Sequence, residues 1–177
     1  FSHFAIAQSV DLNIDAPSAI LMEKDTGKII YEKASDEQLP PASMTKIMTM
    51  LLIMEELDRG TLTLDEKVRT SKKAASMGGS QIFLEAGEEM TVEELLKAIA
   101  IASANDASVA LAEHIAGTEE EFVKRMNEKV KTLGLENTHF SNSTGLPAKN
   151  HYSSARDMAM MAKELLKHEE ITNYTSL

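Results

Sequence analysis

Ser43-Met44-Thr45-Lys46 sets a hydroxyl three residues before a primary amine, a pairing that can carry out nucleophilic acyl transfer without histidine. The bare pattern has little weight, because 15 serines and 14 lysines in 177 residues yield roughly one S-x-x-K match by chance. Its setting says more. Pro40-Pro41 breaks the chain just upstream, and Met44 to Leu57 is apolar nearly all round, the pattern of a helix buried on most of its faces. The plainest role for Ser43 is an N-cap. Lys46 argues against it, since a capping box places Glu or Gln three residues on, and a cation in the first turn opposes the helix dipole by about 0.3–1 kcal/mol. The dipole and desolvation both favour the neutral amine, which is what a general base requires. Three residues is nearly one helical turn, so Ser43 and Lys46 are expected on one side, within hydrogen-bond reach. The amine would take the hydroxyl proton as Ser43 attacks a carbonyl, and the Ser43 backbone N–H, at the start of a helix, is placed to stabilise an oxyanion.

Sixty residues on, Ser103-Ala104-Asn105 lies between two predicted helices. Ser, Asn and Asp at such a junction are ordinary capping residues, and chance supplies roughly 0.6 S-x-N matches in this composition. The functional reading makes Ser103 a proton relay between Lys46 and a leaving group, with Asn105 gripping a substrate backbone. None of the five histidines (His3, His114, His139, His151, His168) forms a metal-spaced pair such as H-E-x-x-H. They read as surface or structural residues, with His151, in the loop before the last helix, the one that could line a cleft.

The elements that must position these residues are mostly helical. Ala19–Met22 and Lys28–Tyr31 flank Asp25-Thr26-Gly27 and predict an antiparallel hairpin, which needs other elements to cover it. Few other convincing strands follow. Thr91-Val-Glu-Glu94 and Thr118-Glu-Glu-Glu121 are capping-box signatures. Asn105 or Asp106 is expected to cap a helix from about Ala107 to Ala116, ending at Gly117. Phe122, Met126, Val130 and Leu133 follow at helical spacing. The turn-rich stretch Asn142–Pro147 leads to a last helix from about Ser154, with Met158, Met161, Leu165 and Leu166 on its apolar face. The chain has the length of about one domain. It has no cysteine, which excludes disulfide scaffolds and thiol nucleophiles, and its net charge of −10 disfavours nucleic acid. Ala5-Ile6-Ala7 has the small-residue pattern that precedes signal-peptidase cleavage, so residues 1–7 are expected to be a residual signal peptide and the protein to be exported.

Pro41-Ala-Ser-Met-Thr-Lys46 together with Ser103-Ala-Asn105 resembles the low-molecular-mass penicillin-binding proteins, the serine-type D-alanyl-D-alanine carboxypeptidases. Gly78–Leu84, Ser103–Ala107, Asn142–Pro147 and Tyr152–Asp157 look like further family segments in the expected order, so the resemblance runs from about residue 17 to the end. It implies an α/β (α+β) fold of the β-lactamase/DD-peptidase type, in which the hairpin begins a five-stranded antiparallel sheet with helices on both faces. It also implies removal of the terminal D-alanine from peptidoglycan pentapeptides through an acyl-enzyme on Ser43, with Lys46 as base, Ser103 as relay and Asn105 binding substrate. β-Lactam antibiotics would acylate the same serine, and the resemblance implies no metal or organic cofactor, in agreement with the spacing of the histidines.

The family's third motif, Lys-Thr-Gly or Lys-Ser-Gly on a strand beside the nucleophile, does not occur; Lys131-Thr132-Leu133-Gly134 is one residue too long and reads as a helix end. Residues 8–177 are therefore expected to be the N-terminal part of the catalytic domain, with the remaining strands and any C-terminal membrane anchor beyond it. A class A-like β-lactamase is the nearest alternative, opposed by the lack of an E-x-x-L-N stretch and by Ala104 in the second motif. A non-catalytic binding or interaction module, with Ser43 a helix cap, is the alternative of another class.

Overall fold

The computed structural model describes residues 12–175. The expected leader at residues 1–7 lies outside them. The hairpin forms as β1 (Ala19–Met22) and β2 (Ile29–Lys33), antiparallel, with Leu21 opposite Tyr31. Glu23 organises its turn by accepting hydrogen bonds from the Asp25 and Thr26 amides at 3.0 and 2.6 Å, and Gly27 takes the positive φ of +74° that closes it. Among the described residues this sheet has two strands only, and it is covered on one side by α6 (Ala155–Leu165).

A 3-10 turn, Ala42–Thr45, runs directly into α1 (Lys46–Asp58), and no side chain caps either start. Ser43 is thus not the N-cap that the plain reading offered. α1 is central. Met48, Met50, Leu51, Leu52, Ile53 and Met54 are all buried, as expected of a helix apolar on most faces, and it packs against α3 (Val92–Ala102), α4 (Asn105–Ala116), α5 (Glu119–Thr132) and α6. Thr91 and Glu94 form the reciprocal capping box that opens α3 (Val92–Ala102). At α5 (Glu119–Thr132) only half of the expected box is present: Thr118 Oγ1 accepts from the Glu121 amide, while the Glu121 carboxylate turns to Lys124. Phe122, Met126 and Val130 are buried along α5, and Met158, Met161 and Leu165 along α6 (Ala155–Leu165). Leu166 does not join that face: it lies just past the helix, 38% exposed.

Four elements had no clear pattern in the sequence. β3 (Lys67–Arg69) and β4 (Glu89–Thr91) pair antiparallel in a second small sheet, too short for alternation to show. α2 (Lys72–Ala75) is a single turn capped by Ser71, and α7 (Ile171–Thr175) follows α6, placing Ile171 and Tyr174 in the core. α4 (Asn105–Ala116) starts two residues earlier than expected, with Ala104 as N-cap, because Asn105 and Asp106 use their side chains elsewhere.

Candidate active site

Ser43 stands on the exposed side of the 3-10 turn, and one turn on, Lys46 is buried, 3% exposed. The buried turn of α1 places the Lys46 amine between two acceptors: Asn105 Oδ1 and the Thr144 carbonyl, each 2.7 Å from Nζ. No carboxylate pairs with it among the described residues. Burial alone pulls its pKa from the ordinary lysine value down to about 8. A neutral lysine amine has two N–H bonds and one lone pair. With Asn105 and Thr144 taking the two N–H bonds, the lone pair is left to receive a proton. About a tenth of the amine is neutral at pH 7.

Asn105 is nearly buried and held at three points. Its Nδ2 donates to the Gly78 carbonyl at 2.7 Å, its backbone N–H donates to the Ser80 carbonyl at 2.7 Å, and its Oδ1 accepts from Lys46. Asp106 beside it, fully buried, accepts from the Ile82 amide at 3.1 Å and the Leu84 amide at 3.0 Å. The residues expected to cap a helix therefore fasten the 78–84 segment to the helix junction. Ser103 ends α3 in the left-handed conformation, φ +53°, half-buried. Asn and Asp adopt this region more readily than serine, so its occupancy here is imposed by the tight passage from α3 into α4.

The structure joins Lys46 and Asn105 directly. Ser43 and Ser103 make no hydrogen bond to the amine among the described residues, and their roles rest on position. His151 does not line a cleft. It is buried against Phe140, its Nδ1 accepts from the Ser141 amide at 2.9 Å, and its Nε2 therefore carries the proton and donates to Thr45 Oγ1 at 2.8 Å. Thr144, Gly78 and Ser80 were missed as site residues because they contribute backbone carbonyls, which leave no mark in residue type.

A family model for D-alanyl-D-alanine carboxypeptidase matches residues 4–177. The chain belongs to this family. It is 68% identical over 165 residues to the D-alanyl-D-alanine carboxypeptidase DacF of Bacillus subtilis, a match covering 93% of this chain and 42% of that protein. The crystal structure of the carboxypeptidase DacD from Francisella tularensis superposes with a TM-score of 0.92 at 37% identity, covering 99% of this chain and 43% of that one. Penicillin binding protein 5 from Haemophilus influenzae superposes with a TM-score of 0.83 at 35% identity, covering 86% and 45%. The chain thus spans less than half the length of these relatives. The expected fold class holds, with a helical region and the expected antiparallel hairpin, and membership sets the chain in the D-alanyl-D-alanine carboxypeptidase family rather than among the β-lactamases.

Proposed function

We propose that this chain carries the acylation machinery of a serine-type D-alanyl-D-alanine carboxypeptidase acting on peptidoglycan stem peptides. The observation that supports it is the buried Lys46 amine, held by two neutral acceptors one helical turn from the exposed Ser43. Ser43 Oγ attacks the carbonyl of the penultimate D-alanine and its proton passes to the Lys46 lone pair. The C–N bond then breaks. Lys46 returns the proton through Ser103 to the departing D-alanine amine, leaving an ester on Ser43. Water cleaves that ester, restoring the serine and releasing the shortened peptide. The second amide N–H of Asn105 is assigned to a substrate carbonyl, while the first keeps the amide oriented on Gly78.

On this reading a β-lactam acylates Ser43 in the same way. The substrate places the protein outside the cytoplasm, with residues 1–7 the remnant of an export signal. Residues 8–177 form the N-terminal part of a catalytic domain whose Lys-Thr-Gly strand, and any C-terminal membrane anchor, lie in a longer protein. Labelling with fluorescent penicillin tests this. The longer protein is expected to label covalently and its Ser43→Ala variant not to label. Equal labelling of the two, or release of D-alanine undiminished by Ser43→Ala, refutes it.

A further inference from the structure

Loop residues 142–146 meet the start of α1 in register. The Ser143 carbonyl accepts from Thr49 Oγ1 at 2.7 Å, the Thr144 carbonyl accepts from Lys46 Nζ at 2.7 Å, and Gly145 lies on the peptide that joins Ala42 to Ser43. A Cβ on Gly145 would stand 1.8 Å from the Ala42 carbonyl oxygen, 2.4 Å from its carbon and 3.0 Å from the Ser43 nitrogen. Both sides of this contact are backbone, so no side-chain rotation relieves it. Gly145 has φ +90° and Ala42 φ +48°, so the nucleophile's peptide is held in an uncommon conformation from the front by its own chain and from behind by the loop.

The loop is itself anchored. Asn142 Oδ1 accepts from the Gly145 amide at 2.7 Å and the Thr144 amide at 3.2 Å. Glu119 Oε1 accepts from the Ser143 amide at 3.0 Å and the Ser143 hydroxyl at 2.8 Å, and the same carboxylate is bridged to Lys73 at 2.9 Å. Paired backbone hydrogen bonds between His139 and Tyr152, at 2.9 and 3.0 Å, close the loop at its base. We propose that Gly145 is a positioning residue for Ser43, the point at which the anchored 142–146 loop presses on the Ala42–Ser43 peptide and sets the direction of attack. The inference rests on the reading of Ser43 as nucleophile given above.

Gly134 provides the control. It has φ +67° but nothing within 4 Å of a Cβ, so Gly134→Ala brings the left-handed strain without the contact. In the longer protein, the acylation rate constant with fluorescent penicillin is measured well below the Tm of each variant. Gly145→Ala is expected to acylate about 10- to 100-fold more slowly, as for a misplaced nucleophile, with the affinity of the non-covalent complex within about threefold. Gly134→Ala is expected to acylate like the parent, whatever its Tm. Acylation by Gly145→Ala within about twofold of the parent, or an equal loss in Gly134→Ala, overturns the proposal. If Gly145→Ala does not fold, Asn142→Ala decides: it frees the loop without a clash, and an unchanged rate overturns the proposal. Should the parent itself fail to label, the reading of Ser43 falls and amide exchange in the 177-residue chain decides the positioning role. The Met44 amide, bonded to the Pro41 carbonyl at 3.2 Å, is expected to exchange faster in Gly145→Ala than in Gly134→Ala, and equal exchange overturns it.

Discussion

Titrating Lys46 tests directly the proposed role of its amine as the base. Its ammonium is buried with two neutral hydrogen-bond acceptors and no carboxylate, which brings its pKa from 10.5 to about 8. That difference makes the charged form about 3 kcal/mol costlier in the protein than in water. Below pH 8 both folded and unfolded chains hold the proton, and the folded state carries the whole cost. Between about pH 8 and 10.5 the folded lysine is neutral while the unfolded one is still charged, so this group's contribution to stability rises with pH across that window. Carbon-13 labelling of lysine in the 177-residue chain, followed by NMR against pH, is expected to show one side chain titrating near 8, absent in Lys46→Met. In the longer protein, acylation by penicillin is expected to rise about tenfold from pH 7 to pH 9 as the neutral fraction grows. Lys46→Arg, which remains charged throughout, is expected to lose acylation at every pH. A Lys46 midpoint at 10 or above refutes the argument, because the amine would then be too well solvated to serve as base.

His151 is held neutral by burial and by the Ser141 amide aimed at its Nδ1, with His139 nearby adding to the depression of its pKa. Folding stability is therefore expected to fall as pH drops below about 6.5, where the unfolded histidine gains a proton that the folded one refuses; urea denaturation at pH 7.5 and 5.5 measures it, and His151→Gln should flatten the difference. Thr49 is fully buried and its hydroxyl serves the Ser143 carbonyl. Thr49→Val keeps the shape but leaves that carbonyl unpaired, and is expected to cost about 1–3 kcal/mol in the same assay; a loss below about 0.5 kcal/mol would mean the loop relaxes to another partner.

The apolar run of α1 and the Thr91–Glu94 box were legible because they depend on local rules, helical period and cap geometry, that act within a few residues. Where those rules misled, a longer-range partner had won. Asn105 and Asp106 look like caps, yet their side chains reach back to Gly78, Ile82 and Leu84, since a buried amide and carboxylate gain more from orphaned backbone N–H and C=O groups than from one cap. Leu166 has the spacing of a core residue but falls one residue beyond the helix that would have turned it inward.

The types and spacing of Ser43, Lys46, Ser103 and Asn105, set beside an apolar helix, suggested the chemistry, because three residues is nearly one helical turn and puts a hydroxyl and an amine on one side. What the sequence could not contain is the environment that lowers the amine's pKa. Lys46 is depressed by burial, and its partners are an amide 59 residues away and a carbonyl 98 residues away. A backbone carbonyl is the same group in every residue, and burial belongs to the packed molecule rather than to any residue, so only the tertiary structure could decide them.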